Sequence, residues 1–416
     1  MIEMKNSGID WIGEIPAHWE VKRLKSIFSE CKDLSSTGDE DLLSVSEYYG
    51  VARRLDIKED DEFDSRADSL EGYKICKKND LVINIMLAWK RGLGFSDYDG
   101  IVSPAYAVYR GKNIVPHYYH YLLRTDRYIA EFKRNSKGII DSRLRLYSDR
   151  FFNIKTIVPP LAEQQAIADY LDEKTTEIDE QVALLEKKRE SYNKLKRSLI
   201  SNVVTRGLNP AVELKDSGID WIGEIPAHWE VDRIKAFAKA IKGKSSDYLA
   251  EPTSDSYQVL SVESLRQDEC QFYDYIKVDD ESQICTPDDI VVIWDGAGVG
   301  EFLKAKNGAL SSTIAKIQFT SKKVFPKYFW YWRYKIEYRL KSIPTGMGIP
   351  HLNPTLLNNY KLAIPPIAEQ QAIADYLDEK TAEIDGQIAL IDKKIDTYKK
   401  LKQSLIDEVV TGKRKI

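Results

Sequence analysis

The sequence predicts an α+β fold in which two β-rich globular domains alternate with two long helices. Three observations predict this: the chain repeats itself, each copy ends in a helix-forming segment with a seven-residue apolar period, and the residues between these segments contain short apolar runs bounded by turn residues. A length of 416 residues, with 43% hydrophobic and 30% charged side chains, is typical of a globular chain of two or more domains.

The repeat is read directly from two blocks. Residues 7–20 recur unchanged as residues 217–230, and residues 159–174 recur as residues 365–380 with one change. The residues between these blocks have largely diverged. Matches of this length do not arise by chance, so the chain is a tandem duplication. We expect four segments, a globular domain and a spacer helix in each copy: 1–158, 159–208, 209–364 and 365–416.

The spacer helices follow from composition and period. Leu161 to Val204 contains neither Pro nor Gly and is rich in strong helix formers, so it predicts a helix of about 45 residues, roughly 65–70 Å long. One helix cannot bury a seven-residue seam alone, and the chain supplies two. We expect the two to pair antiparallel within the chain, the alternatives being a lone solvated helix or a homodimeric coiled coil. The seam positions are Leu171, Ile178, Leu185, Tyr192 and Leu199, then Leu377, Ile384, Ile391, Tyr398 and Leu405.

Short apolar runs predict the strands of the globular domains. Leu81–Ile85 and Ile290–Trp294 each follow an aspartate and are typical of buried strands. Pro116 and Pro326 each open a run of aromatic residues at helical spacing, which favours core packing over base stacking. Further strands are expected at Leu42–Val45, Ile101–Tyr109, Val259–Val262 and Ala315–Phe319.

No catalytic or metal-binding motif is present, so we do not expect this chain to be an enzyme. The glycines of residues 296–300 lack the spacing of a dinucleotide-binding loop and are interpreted as a turn between strands. His117 and His120 have no acidic or cysteine partner at ligand spacing. The scattered cysteines predict buried thiols in a reducing compartment: Cys31, Cys76, Cys270 and Cys285.

The location of the protein is predicted from two further features. The longest apolar stretch, Leu81–Trp89, is too short to span a membrane, and the first residues lack the apolar core of a signal peptide. We therefore expect a cytoplasmic protein without membrane contact.

The two repeated blocks resemble those of type I restriction–modification specificity subunits. Pro159–Asp172 and Pro365–Asp378 are similar to the conserved helical regions of that family, and residues 11–19 with their copy at 221–229 resemble the lead-in to each target recognition domain. Segments similar to recognition-domain sequences are Asp80–Asn84, Asp99–Pro104 and Arg143–Arg145. The resemblance covers essentially the whole chain.

This resemblance implies a function. The chain is expected to read a bipartite, asymmetric sequence of double-stranded DNA, with one half-site for each recognition domain, and to dock methyltransferase subunits, two per complex, and restriction–translocase subunits through its helices. The family implies that those partners, and not this chain, use S-adenosylmethionine, ATP and Mg²⁺. The alternatives are a coiled-coil scaffold that never touches DNA and a single-chain restriction or methylation enzyme.

Candidate DNA-binding residues precede each helical segment, where cations, Gly and polar side chains cluster. Arg and Asn can pair with purine edges, whereas Lys more often meets phosphates. Ordinary solvated surface charge is the alternative for each of them. Because the net charge is −4, we expect the isolated chain to bind DNA weakly until its partners join. The candidates are Lys90, Arg91, Arg134, Lys137, Arg143, Arg145 and Tyr147, then Lys242, Lys244, Arg339, Lys341, Met347, His351 and Asn353.

The long helices also predict a spacer. One turn of DNA measures about 34–36 Å, so readers carried on such helices would reach half-sites roughly one turn apart. Four residues inserted near Thr175–Thr176 would lengthen a helix by about 6 Å. We expect this to widen the gap between half-sites without changing either one.

Overall fold

The computed structural model describes residues 3–48, 50–56, 69–244, 247–249, 251–267, 274–342 and 350–416. The chain forms two compact units. The first unit contains Met1–Glu186 and Lys393–Ile416, and the second contains Lys187–Asp392. Each unit therefore combines one globular domain with parts of both long helices. The four segments predicted from the sequence follow the repeat and stay a prediction, whereas these units follow packing.

Two long helices, Leu161–Arg206 and Ile367–Val410, are the largest elements, and we refer to them as the first and second long helix. The shorter helices of the globular parts are Leu24–Ile27, Pro116–Leu123, Asp126–Asn135 and Ser148–Asn153 in the first unit, and Val262–Arg266, Pro326–Ser342 and Pro354–Asn359 in the second. Single 3-10 turns are Arg54–Asp56, Ala88–Lys90, Asp141–Arg143, Ile234–Ala236 and Glu281–Gln283.

Strands are short in both units. Those of the first unit are Met4–Asn6, Glu14–Pro16, Glu20–Arg23, Phe28–Cys31, Leu43–Ser46, Gly50–Arg53, Lys74–Cys76, Asp80–Asn84, Leu93–Phe95, Gly100–Val102, Tyr106–Gly111 and Lys155–Val158. Those of the second unit are Leu214–Asp216, Glu224–Pro226, Glu230–Arg233, Ala238–Lys242, Ser256–Leu260, Tyr275–Lys277, Ile284–Cys285, Ile290–Ile293, Phe302–Lys304, Gly308–Leu310, Ile314–Phe319 and Lys361–Ile364.

A four-stranded antiparallel sheet has the same topology in each unit. In the first unit the strand order is Phe28–Cys31, Tyr106–Gly111, Asp80–Asn84, Leu93–Phe95. In the second it is Ala238–Lys242, Ile314–Phe319, Ile290–Ile293, Phe302–Lys304. The strands predicted at Leu81 and Ile290 are thus confirmed as central, and every residue of both is buried, as expected where both faces are covered.

Two predicted strands were wrong in extent. Ile101–Tyr109 is not continuous, because Pro104 cannot donate a ladder hydrogen bond; Gly100–Val102 and Tyr106–Gly111 belong to different sheets. The strand expected at Val259–Val262 ends at Leu260. Ser261 then caps a helix, since its hydroxyl oxygen accepts a hydrogen bond from the Ser264 amide at 3.1 Å.

The two aromatic helices pack into the cores, as predicted. Tyr118 and Tyr119 of the first unit, and Tyr328 and Phe329 of the second, are fully buried. The Tyr118 hydroxyl donates to the carbonyl of Val410 on the second long helix at 2.9 Å. In the second unit, the equivalent Tyr328 hydroxyl donates to the Val204 carbonyl of the first long helix. These aromatics anchor each globular domain on helix ends and are unavailable for base stacking.

Within each unit the long helices pair antiparallel. In the second unit Arg189 pairs with Asp392 at 3.0 Å and Lys196 with Asp385 at 2.6 Å, so a step forward on one helix matches an equal step back on the other. In the first unit Lys402 pairs with Asp179 at 2.6 Å. Intrachain pairing is therefore what the structure shows.

The seam positions lie along these pairings. None of the ten is exposed. Leu171, Ile178, Leu377, Ile384, Ile391 and Leu405 are buried, and Leu185, Tyr192, Leu199 and Tyr398 are partly buried. Leu185 and Tyr192 lie in the middle of the first long helix. They belong to the main hydrophobic core of neither unit, which agrees with their partial exposure.

The repeated blocks contact each other, and we call this contact the joint. In the first unit the Trp19 indole N–H donates to a Glu163 carboxylate oxygen at 2.9 Å, and the His18 ring lies 2.7 Å from the other oxygen. In the second unit Trp229 and His228 make the same contacts with Glu369, at 3.0 and 2.7 Å. The joint attaches the start of each globular domain to the start of the long helix that follows it.

Three of the four cysteines lie within the described residues, and two of these three are buried as predicted. Cys76 and Cys285 are buried and Cys31 is partly buried, while Cys270 lies outside the described residues. The His117 Nδ1 lies 3.0 Å from an Asp172 carboxylate oxygen. Among the described residues no cluster of His, Cys, Asp or Glu has the arrangement of a metal site, and no helix is long and apolar enough to cross a membrane.

Candidate nucleic-acid interface

A shared backbone frame positions the candidate residues in both units. The loop that leaves the central strand, which we call the strand-exit loop, comprises residues 85–92 in the first unit and 294–301 in the second. Its first carbonyl accepts a hydrogen bond from the segment before a short helix: Leu146 N–H to Ile85 O at 2.9 Å, and Leu352 N–H to Trp294 O at 2.8 Å. The two candidate clusters named from sequence therefore occupy equivalent places.

In the first unit the strand-exit loop carries Trp89, Lys90 and Arg91. The ammonium groups of Lys90 and Lys133 lie over the Trp89 ring, 5.1 and 4.9 Å from its centroid, which is cation–π geometry. Arg91 is held by an ion pair with Asp126 and by a hydrogen bond to the Arg124 carbonyl at 3.2 Å. Lys90 is exposed to solvent, whereas the guanidinium of Arg91 is already bound by groups of the protein itself.

A basic hairpin loop, residues 137–145, lies beside this strand-exit loop. Lys137 and Arg145 exchange two backbone hydrogen bonds, both 2.9 Å. Lys137 and Arg143 are exposed, and neither forms an ion pair with any part of the chain that the structure describes. The Arg145 guanidinium donates to the Leu144 carbonyl at 2.9 Å. Of these cations, Lys137 and Arg143 are the ones available to an external anion.

Two further first-unit candidates have defined environments. Arg134 is exposed and pairs with Glu131 at 2.9 Å, one helical turn away. Tyr147 is 45% exposed and occupies the residue before the helix Ser148–Asn153, where its side chain makes no capping hydrogen bond. Tyr147 thus offers an aromatic face without a role in that helix.

In the second unit two candidates meet on one carboxylate that the sequence analysis missed. Lys242 and His351 lie 2.7 and 2.6 Å from opposite oxygens of Asp295. Burial alone would raise the pKa of Asp295, but the hydrogen bonds from His351 and Lys242 outweigh it and lower that pKa below its usual range. The carboxylate stays ionised and fixes both side chains. Asp295 lies two residues after the buried central strand, and this position was the available signal.

The other second-unit candidates are less closely grouped. Lys244 lies 3.9 Å from Asp280, and Lys341 lies 4.0 Å from Glu337. Arg339 is exposed and forms no ion pair within the described ranges. Met347, with the rest of Thr345–Gly348, lies outside the described residues.

Asn353 has a local structural role. Its side-chain oxygen accepts a hydrogen bond from the Leu356 amide at 3.1 Å and caps the helix Pro354–Asn359. It occupies the position that Tyr147 has in the first unit.

The glycine-rich strand-exit loop of the second unit is a turn, as predicted. It connects the strands Ile290–Ile293 and Phe302–Lys304. Gly296, Gly298 and Gly300 all have φ between 80° and 93°, a region that only glycine adopts freely. A Cβ on Gly300 would lie 2.7 Å from the Leu340 Cβ, so the glycine also allows close packing.

Comparison with known proteins gives a consistent result. A family model described as type I restriction modification DNA specificity domain matches residues 226–395. The type I restriction enzyme MjaVIII specificity subunit of Methanocaldococcus jannaschii is 34% identical over 188 residues, which span 45% of this chain and 43% of that protein. The putative MjaX specificity subunit of the same organism is 24% identical, and the match spans 97% of this chain and 96% of that protein.

The chain is similar to type I restriction–modification specificity subunits. The expectation that it is not itself an enzyme agrees with this family, whose members are the DNA-recognition components.

Solved structures show that the fold is that of these specificity subunits. A chain from a study of complex assembly and conformational transition of the type I R-M system has a TM-score of 0.74 at 15% identity, covering 96% of this chain and 99% of that one. The HsdS subunit from Thermoanaerobacter tengcongensis has a TM-score of 0.55 at 17% identity, covering 96% and 98%. At such identities the similarity is one of fold.

Proposed function

We propose that this specificity subunit reads a bipartite, asymmetric DNA target, with one half-site for each unit. One observation supports this most directly: the two units hold unlike side chains on the same backbone frame. Where the first unit places Arg145 and Tyr147, the second places His351 and Asn353. Two readers with the same docking frame and different chemistry suit two half-sites of different sequence.

The chemistry of each surface fits readout of base edges and phosphates. In the first unit Arg143 can bridge guanine O6 and N7, and Lys137 and Lys90 supply positive charge for phosphates. In the second unit Asp295 holds Lys242 and His351 close together, and Lys242 supplies positive charge for phosphates. Neither surface requires a cofactor for this work.

We propose that the long helices dock the methyltransferase and restriction subunits. Outside the seam, these helices are covered by exposed charged side chains of both signs, as in helices that meet partners through polar contacts. The methyltransferase partners would supply S-adenosylmethionine-dependent methylation, and the restriction partners would use ATP and Mg²⁺.

Sequencing of methylated bases in cells with and without this gene tests the assignment. We expect one bipartite modification pattern to disappear with the gene and to return with the wild-type chain. Exchanging residues 85–92 and 137–147 for those of a related chain should change the first half-site and leave the second intact. If loss of the gene leaves the methylation pattern unchanged while the protein still assembles with partners, the scaffold alternative is correct.

The spacing of the half-sites can be tested with paired insertions. Thr175 is buried and lies 3.1 Å from the Tyr121 hydroxyl, so an insertion there would disturb the first unit. Four residues between Glu186 and Lys187, matched by four between Lys394 and Ile395, preserve every interhelical ion pair described above. The 6 Å gain should widen the gap by about two base pairs, with both half-sites unchanged.

The matched control carries only the first insertion. It shifts one helix against the other by more than a turn, so the ion pairs of one unit are lost, and we expect weaker methylation without a defined new gap. Altered half-sites with an unchanged gap in the doubly inserted variant would contradict the spacer role.

A further inference from the structure

We propose that Ile139 and Ile140 form an apolar tip that contacts the bases of the half-site read by the first unit. This inference deepens the proposed function and rests on it. The candidates predicted from the sequence in this loop are the cations Lys137, Arg143 and Arg145, and neither isoleucine is among them.

The exposure of these two side chains is unusual. Ile139 is fully exposed to solvent and Ile140 is 53% exposed. Single exposed hydrophobic residues are common on protein surfaces, but two adjacent β-branched side chains at the tip of one loop make a continuous apolar patch. Covering such side chains with a partner is favourable, and the fold leaves all of Ile139 and about half of Ile140 uncovered.

The loop that carries the tip is fixed rather than loose. Its base is closed by the two backbone hydrogen bonds between Lys137 and Arg145. Gly138 has a φ of 153°, and a Cβ there would lie 2.5 Å from the Arg143 carbonyl oxygen, so only glycine allows the chain to pass this closely. Leu144 and Leu146 are buried and anchor the C-terminal end of the loop. A preorganised tip loses little conformational entropy on binding.

The charge around the tip favours DNA as its partner over a protein surface. The two carboxylates of the surrounding stretch are already paired, Glu131 with Arg134 and Asp141 with Lys133, each at 2.9 Å. The flanking cations Lys137 and Arg143 have no such partner among the described residues. An apolar tip between unpaired cations matches a surface that offers bases between two rows of phosphates, where apolar side chains contact thymine methyl groups or opened base steps.

The test separates apolar from ionic contributions through their dependence on salt. The complex of the full chain with its methyltransferase subunits is titrated with a duplex that carries the target found by methylation mapping. We expect the Ile139→Ala/Ile140→Ala variant to bind this duplex roughly tenfold more weakly or worse. The slope of log affinity against log salt concentration should stay at the wild-type value, because no phosphate contact is lost. Methylation mapping should show relaxed selection at the first half-site only.

Three control variants sharpen this result. Ile139→Leu/Ile140→Leu keeps the apolar surface and should retain most of the affinity. Arg143→Ala should weaken binding to target and non-target duplexes alike and reduce the salt slope by about one. Leu55→Ala removes a side chain that is 90% exposed elsewhere in the first unit and should leave binding unchanged. Because all these side chains are exposed, thermal unfolding midpoints should match the wild type.

Two outcomes would overturn the proposal. One is an alanine variant that binds the target duplex with wild-type affinity and keeps its methylation pattern. The other is a variant whose only defect is weaker assembly with the methyltransferase subunits, which would make the tip a protein contact. A wild-type complex without preference for any sequence would instead refute the proposed function, and this is measured before any variant is made.

Discussion

The joint and the strand-exit loop each occur once in both units, so their two copies can be compared directly. The joint is nearly identical in the two copies: the tryptophan–glutamate hydrogen bonds differ by 0.1 Å, and the histidine–glutamate distances are equal. The strand-exit loops share two backbone hydrogen bonds, but their side chains differ, with Trp89, Lys90 and Arg91 in one unit and a glycine-rich turn in the other.

This difference explains the pattern of the repeat. Side chains that attach a globular domain to its long helix must fit a partner within the same chain, so a change on one side requires a change on the other. Side chains on the strand-exit loop project from a frame that the backbone already holds, so they can vary without loss of the fold. Identity between the two copies therefore marks packing, and divergence marks the surface available for recognition.

The largest effect should come from Gln370, the residue that follows the joint residue Glu369 on the second long helix. This side chain is fully buried; its oxygen accepts from the Phe325 amide at 2.8 Å, and its amide donates to the Lys323 and Pro365 carbonyls. Gln370→Leu leaves these backbone groups without partners, so we expect a loss of about 3–5 kcal/mol in the free energy of unfolding. Chemical denaturation followed by fluorescence measures it.

The neighbouring Gln371 provides the matched control, because it is exposed. Gln371→Leu should change the free energy of unfolding by less than about 0.5 kcal/mol. If both variants are equally stable, the buried hydrogen bonds of Gln370 do not hold the second unit together.

A second difference between the units concerns acid stability. His120 of the first unit occupies the position that Trp330 has in the second. Burial, together with the nearby Arg124 and His117, lowers the pKa of His120 to about 4, while Asp172 opposes this shift. Between pH 6.5 and 4 this histidine binds a proton in the unfolded chain but not in the native state. The free energy of unfolding of the first unit therefore decreases as the pH falls through this range.

We expect this histidine to cost the first unit on the order of 2 kcal/mol at pH 4.5 relative to pH 7. Amide hydrogen exchange at the two pH values reports each unit separately. His120→Phe should remove the part of the pH dependence that is confined to the first unit. Equal acid sensitivity of wild type and variant would show that other groups dominate.

The sequence predicted those features that depend on residues close together in the chain. The seven-residue period predicted the long helices, and the apolar run Leu81–Ile85 predicted a buried strand. Both patterns are local, because they reflect which side chains of one element are buried. Pro104 is a local signal too, because proline interrupts a strand, and the predicted strand Ile101–Tyr109 did not take it into account.

The candidate site was harder to predict, because its contacts join distant segments. Lys242 and His351 were each proposed as free DNA ligands, yet the carboxylate that holds both comes from a third segment, at Asp295. The order of residues in the chain does not show that the strand-exit loop of Asp295, the strand end at Lys242 and the segment of His351 lie together in space. The exposure of Ile139 was likewise invisible, since an isoleucine in a sequence is ordinarily assigned to the core.

The smallest effect on stability, and the sharpest contrast between the units, is expected at the residue before the short helix. Asn353 caps its helix through the Leu356 amide, whereas Tyr147 leaves the equivalent helix end without a side-chain cap. Tyr147→Asn should therefore stabilise the first unit by about 0.5–1 kcal/mol. If Tyr147 contacts DNA, the same change should weaken methylation at the first half-site.

Stability and recognition would then move in opposite directions at one position, which a purely structural role for Tyr147 does not allow. The matched change in the second unit, Asn353→Ala, should lower the free energy of unfolding by about 1 kcal/mol, because the helix loses its cap. Thermal unfolding and methylation mapping of both variants provide the comparison. A more stable Tyr147→Asn variant with unchanged half-site selection would remove Tyr147 from the recognition surface, and recognition in the first unit would then depend on the cationic loop and its apolar tip alone.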